Sequence, residues 1–80
     1  VIELANDSPY GLAAYVFTAD LGMAMEWANQ LDIGNIWINR IHQAYAQTPF
    51  GGVKESGLGR EKSRFGLEEF TELKTIYLNY

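Results

Sequence analysis

The chain has no cysteine, a single histidine and two prolines, and its first 39 residues carry neither lysine nor arginine. Each shortage excludes something. Without cysteine there is no disulfide framework, no thiolate metal site and no thiol nucleophile. With His42 alone, no second imidazole or thiolate completes a metal site, so no metal is expected and His42 reads as a loop residue rather than a self-sufficient catalyst. No apolar run approaches the roughly 20 residues of a membrane span, so no membrane partner is expected. No basic stretch followed by an apolar one opens the chain, so no secretory signal is expected, and a cytoplasmic setting is. Asn6-Asp7-Ser8 fits a glycosylation triplet, but three residues match by chance often and nothing else suggests export.

What is present is unevenly charged. Residues 1–39 hold five acids, whereas residues 40–80 hold all six basic groups against five acids, within a net charge of −4. The one basic cluster, Lys54, Arg60, Lys62 and Arg64, is interleaved with Glu55 and Glu61, which disfavours nucleic acid and reads as a solvated or ion-paired loop. Eighty residues make one domain at most, of a size that buries only about 60% of its unfolded surface. At 48% hydrophobic and 14% aromatic residues, the chain is ordered.

The order of elements reads as α/β. Residues 1–5 look like the last turn of a helix. Asn6-Asp7-Ser8-Pro9-Tyr10-Gly11 is turn chemistry, because Asn, Asp and Ser bond the local backbone while Pro and Gly bracket a reversal. Residues 12–17 form an apolar run without alternation, as a strand covered on both faces would. Asp20 is an N-cap for a helix on which Leu21, Ala24, Met25, Ala28 and Leu31 recur at helical spacing, and Trp27 widens the stripe. Asp32-Ile33-Gly34 ends that helix, with Gly34 free to take a left-handed cap. Residues 35–39 are a second strand. Strand, helix and strand with short joints predict a right-handed βαβ crossover with parallel strands. Residues 40–59 are a long aperiodic loop, which in compact domains is usually functional. Residues 60–73 permit a short helix broken at Gly66. Residues 75–80 alternate, with Ile76, Leu78 and Tyr80 on one face, as a strand without a nearby partner.

The densest signal is the run from Pro49 to Glu61, which holds four of the eight glycines between fixed charges. That density disfavours helix by about 1 kcal/mol per glycine, so the run is a shaped loop. Gly52 and Gly57 have phosphate-loop spacing, but Lys-Ser/Thr does not follow, and Gly57-Leu58-Gly59 lacks the third glycine of a dinucleotide fingerprint. The whole pattern nevertheless resembles one known family. The motifs are Ala5-Asn6-Asp7-Ser8-Pro9-Tyr10-Gly11-Leu12-Ala13-Ala14, Gly34-Asn35-Ile36-Trp37-Ile38-Asn39, Pro49-Phe50-Gly51-Gly52, Lys54, Ser56-Gly57, Gly59-Arg60-Glu61, Gly66-Leu67 and Phe70-Thr71-Glu72-Leu73-Lys74. In this order they are similar to the C-terminal segment of the NAD(P)-dependent aldehyde dehydrogenase superfamily.

The resemblance implies oxidation of an aldehyde to a carboxylic acid, with a cysteine nucleophile, a water-activating glutamate and a cofactor domain that all lie upstream of these residues. It implies residues 1–74 as the end of a catalytic domain with its connecting helix, and 75–80 as an oligomerisation strand. NAD or NADP belongs to the parent enzyme, with none bound by this piece alone. The implied partners are the upstream remainder of the enzyme, an aldehyde, and further copies in a dimer or tetramer. By the same resemblance Phe50 is an aromatic wall of the aldehyde channel, against core packing as the plain alternative. Ile41, His42 and Tyr45 line the channel mouth, where a cationic Arg40 would favour a carboxylate-bearing aldehyde; Arg40 turned to solvent fits the sequence equally well. Glu61 is a proton-relay carboxylate or, more plainly, an acid at a helix N-terminus. Arg60 and Glu72 match an interface pair, joined by Ile76, Leu78 and Tyr80. A non-catalytic oligomerisation module derived from such an enzyme is the rival reading.

Overall fold

A computed structural model describes residues 1–79. Seven short elements follow one another: α1 (Ile2–Asn6), β1 (Tyr10–Gly11), β2 (Ala13–Val16), α2 (Leu21–Gln30), β3 (Asn35–Ile38), β4 (Val53–Lys54) and α3 (Ser63–Glu68). The expected parallel pair is present, with Ala13 opposite Asn35 and Val16 opposite Ile38 across β2 and β3. Helix α2 connects them. Its start obeys local chemistry: the Asp20 carboxylate accepts from the Met23 amide at 3.0 Å, satisfying a donor that has no partner within the helix.

Its end does not follow the sequence expectation. The helix stops at Gln30, and Gly34 is not in the left-handed region. Asn6 closes α2 instead, donating from Nδ2 to the Gln30 carbonyl at 2.8 Å and accepting from the Asp32 amide at 2.8 Å. Gly34 has another duty. Its amide donates to the Gly11 carbonyl at 2.9 Å, and a Cβ at Gly34 would overlap the Gly51 carbonyl. Glycine is required there by close approach of two backbones.

The segment expected to be only turn, residues 6–11, includes strand β1. It pairs antiparallel with β4, Tyr10 opposite Lys54 and Gly11 opposite Val53, so the long loop is not structureless. Lys54 ties the same region down by donating to the carbonyls of Asn6 at 2.8 Å and Ser8 at 3.2 Å. Gly66, expected to break the third helix, lies buried inside α3. A Cβ on it would meet the Glu61 carbonyl carbon at 2.8 Å, so its small size seats α3 against the preceding chain. Residues 71–79 form no ladder: a strand needs a partner for its backbone groups, and none pairs with them among the described residues. Tyr80 lies outside the described residues.

The core is very small. Val16 and Ala24 are the buried hydrophobic residues, while Tyr15 and Phe17, expected on a doubly covered strand, are half-exposed or more. The accessible surface is 6656 Å². A compact monomer of this mass exposes about 4,900 Å², so roughly 1,800 Å² more is open than a self-contained domain would leave. The radius of gyration, 16.9 Å, exceeds the value of about 12 Å for a compact chain of this length. No helix among the described residues is long and apolar enough to cross a membrane.

Candidate functional site

The site grows from β3. Trp37 stands opposite Tyr15 in the parallel register, and the two rings stack at 5.4 Å and 18°. Beyond β3 the chain folds back: Trp37 Nε1 donates to the Gln43 carbonyl at 3.0 Å, closing a loop over the indole. That loop brings His42 to 4.7 Å from Trp37, and His42 meets Phe50 edge-on at 5.6 Å. Trp37 and Phe50 lie 6.5 Å apart. Tyr15, Trp37, His42 and Phe50 are thus one aromatic cluster, at separations where ring pairs attract beyond simple burial.

Phe50 is positioned by its backbone. Its amide donates to the Glu61 carbonyl at 2.9 Å, and the Glu61 amide returns a bond to the Phe50 carbonyl at 2.7 Å. The next residue is held from below, since Asn35 Nδ2 donates to the Gly51 carbonyl at 2.7 Å and to the Leu12 carbonyl at 2.9 Å. Arg60 Nη1 reaches the carbonyls of Gly52 and Gly59, each at 2.8 Å. The glycine run is therefore shaped by side chains bonding its carbonyls, which holds the backbone from which the Phe50 ring projects.

Beside that ring opens a cavity of about 330 Å³, lined by Trp37, Tyr45, Thr48, Pro49 and Phe50, with Arg40 and Lys62 at its charged part. The size suits a small molecule with a few polar anchors. A second cavity of about 860 Å³ shares Phe50 and Lys62 and continues along Arg60, Glu61, Leu67 and Phe70.

Of the sequence candidates, Phe50 and Tyr45 line the smaller cavity, and His42 packs on Phe50 and Trp37. Ile41 is 77% exposed and lines neither cavity. Glu61 lines the larger one. It precedes Lys62, the residue capping α3, so it is not in the first helical turn, where an acid would gain most from the dipole. Arg60 bonds carbonyls of its own loop, Glu72 is exposed, and the sole ion pair among the described residues is Arg64 with Glu68 at 3.8 Å. Ile76 and Leu78 are largely exposed. Sequence reasoning missed Trp37, Asn35 and Lys62 as site residues. The available signal was alternation in β3, which puts Trp37 and Asn35 together on the face opposite Ile36 and Ile38.

The arrangement can position and desolvate an organic group, and it contains no activated nucleophile among the described residues. Thr48, which shares the cavity wall with Tyr45, directs Oγ1 to the Tyr45 carbonyl at 3.0 Å. The glycines also do not make a dinucleotide cradle. Gly57 and Gly59 follow the two-residue β4, but Arg60, Glu61 and Lys62 separate Gly59 from the first residue of α3, so the glycine turn does not open directly onto a helix N-terminus, and Leu58 between them is fully exposed.

A betaine aldehyde dehydrogenase of Bacillus subtilis (strain 168) is 51% identical over 79 residues, which is 99% of this chain and 16% of that protein. Human retinaldehyde dehydrogenase 3 is 50% identical over 76 residues, 95% of this chain and 15% of its own length. A crystal structure of betaine aldehyde dehydrogenase from Staphylococcus aureus in complex with NAD+ superposes with a TM-score of 0.83 at 55% identity, over 86% of this chain and 14% of that one. The chain thus spans about one sixth of the length of the curated relatives it matches. Residues 1–76 match the aldehyde dehydrogenase family, and the chain belongs to that family.

Proposed function

We propose that residues 1–74 are the C-terminal part of the catalytic domain of an NAD(P)-dependent aldehyde dehydrogenase, with its connecting helix, and that their task is to build one wall of the aldehyde site. The observation that carries this reading is the Phe50 ring, its backbone held by the reciprocal bonds to Glu61 and the ring flanked by Trp37 and His42 beside a small-molecule cavity. A rigid apolar wall places a carbonyl and strips water from it, which raises rate through orientation. The nucleophile and the cofactor site belong to chain outside these residues, which contain no cysteine. The open surface and near-absent core fit a piece that packs against that remainder. The rival reading, a non-catalytic association module, has no use for the cavity. Extending the reading frame upstream decides between them: a cysteine-bearing catalytic segment in the same frame is expected, and its absence would favour the module.

In the complete enzyme, Phe50→Ala is expected to lower kcat/KM about 10-fold or more, the scale of a lost positioning contact. Tyr45→Ala should lower it less, because Tyr45 is 45% exposed whereas Phe50 is pinned. Steady-state kinetics on both variants checks the order, and a larger loss for Tyr45→Ala would reverse the assignment.

Glu61 is proposed as part of a proton path for acyl release, coupled to the wall through the bonds its backbone makes with Phe50. Glu61→Gln should then slow deacylation more than the first turnover, which burst kinetics resolves. An unchanged deacylation rate with an unchanged pH profile would leave Glu61 a structural residue.

Residues 75–80 are proposed as the oligomerisation strand, because Ile76 at 80% and Leu78 at 78% exposure leave an apolar edge that pairing with a second copy would cover. Sedimentation equilibrium should find the 80-residue chain associating and a chain ending at Lys74 monomeric. A full chain that stays monomeric at high concentration would refute the arm's role.

A further inference from the structure

Three of the six basic side chains are committed to local partners. Lys54 bonds the carbonyls of Asn6 and Ser8, Arg60 bonds those of Gly52 and Gly59, and Arg64 pairs with Glu68. Lys74 lies in the extended arm. The two left over in the folded part, Arg40 and Lys62, make no hydrogen bond or ion pair among the described residues, and both line the cavity beside Phe50. No aspartate or glutamate lines that cavity; Glu61 and Glu69 line its larger neighbour instead.

Local structure puts both cations there. Asn39, with φ 57°, turns the chain sharply out of β3, and its Oδ1 accepts from the Thr18 amide at 2.9 Å. Arg40 follows that turn, inside the loop closed by the Trp37–Gln43 bond. Lys62 has φ 61° and ψ 171°, a conformation that residues other than glycine seldom adopt. Flanking bonds hold it: Glu61 N to the Phe50 carbonyl at 2.7 Å and Ser63 N to the Ala46 carbonyl at 2.8 Å. Its ammonium then sits 5.6 Å from the centre of the Phe50 ring. Two positively charged residues without an ion pair among the described residues line one small, mainly apolar space, which favours an anion there over a cation.

We infer that this cavity takes an aldehyde whose far end is a carboxylate, held by the Arg40 and Lys62 side chains while the Phe50 ring flanks its carbon chain. The inference rests on the aldehyde-oxidising reading above and goes beyond it in substrate class. It also separates this chain from relatives named for betaine aldehyde, a cation, because the same two charges disfavour a quaternary ammonium.

The test is steady-state kinetics of the complete enzyme with succinic semialdehyde, butanal and betaine aldehyde, which are anionic, neutral and cationic at similar length. The expected order of kcat/KM is anionic, then neutral, then cationic. Arg40→Gln and Lys62→Gln should each reduce the ratio of kcat/KM for succinic semialdehyde over butanal about tenfold, the size of one charge-assisted contact. The reduction should appear mainly in KM, and Arg40→Lys should restore part of it. Butanal oxidation without a preference for the anionic aldehyde, or a ratio unchanged in both Gln variants, would overturn the substrate class and leave the general activity standing. No oxidation of any of the three would overturn the activity itself.

Discussion

The 80-residue chain alone should form no NADH or NADPH from any aldehyde. Covalent catalysis needs an activated nucleophile, and the chain has no cysteine. The hydroxyls offer no substitute. Ser56 Oγ accepts from the Gly11 amide, Ser8 Oγ from Tyr10 and Ser63 Oγ from Phe65, so these serines serve the backbone. His42, the single candidate base, is packed against Trp37 and Phe50 with no serine or carboxylate bonded to it among the described residues. Absorbance assays on highly purified chain with NAD and with NADP check this. Turnover that disappears in His42→Ala would prove the chain a catalyst in its own right.

Gly34→Ala should be the most damaging single substitution in the folded part. A Cβ there overlaps the Gly51 carbonyl oxygen and approaches the Gly51 carbonyl carbon and Gly52 Cα to 2.9 Å, all of them backbone atoms that no rotamer change can move aside. Relief requires Gly51 to shift, which strains its bond from Asn35 and displaces Phe50 one residue away. Overpacking of this kind costs about 1–3 kcal/mol and sometimes more. In the complete enzyme, the loss in kcat/KM should therefore exceed that of Phe50→Ala, accompanied by a lowered denaturation midpoint. Gly22→Ala is the control. It lies exposed in α2 with only the Asp20 carboxylate near a new Cβ, at an ordinary contact distance of 3.4 Å, and should stabilise by up to about 1 kcal/mol. Equal behaviour of the two variants in chemical denaturation would show that the close approach at Gly34 is wrong.

Local chemistry was readable in the sequence, and long-range contact was not. Asp20 as a cap, the helical stripe after it and the two strands of the parallel pair each follow from neighbours a few residues apart. Strands β1 and β4 are two residues each and 43 positions apart, and no periodicity can announce a pair that short. The same holds for glycine. Gly34 and Gly66 were read through their own backbone freedom, but both are glycine because another segment comes too close for a side chain. Among the residues lining the smaller cavity, Phe50 stands in a family motif and Tyr45 in the loop expected at the channel mouth, whereas Trp37 reads as a strand residue until the Gln43 bond folds the loop over it. Lys62 looked like one more charge in a mixed cluster. Its distinction is that it makes no ion pair among the described residues and lies over the Phe50 ring, which only the folded geometry reveals.

The most direct test of the central claim is to measure two properties of the complete enzyme with and without these 80 residues: aldehyde-dependent NAD(P)H formation and NAD(P)+ binding. A wall of the aldehyde site that holds no cofactor should, when removed, abolish oxidation while cofactor binding persists. Oxidation that survives the removal would contradict the account.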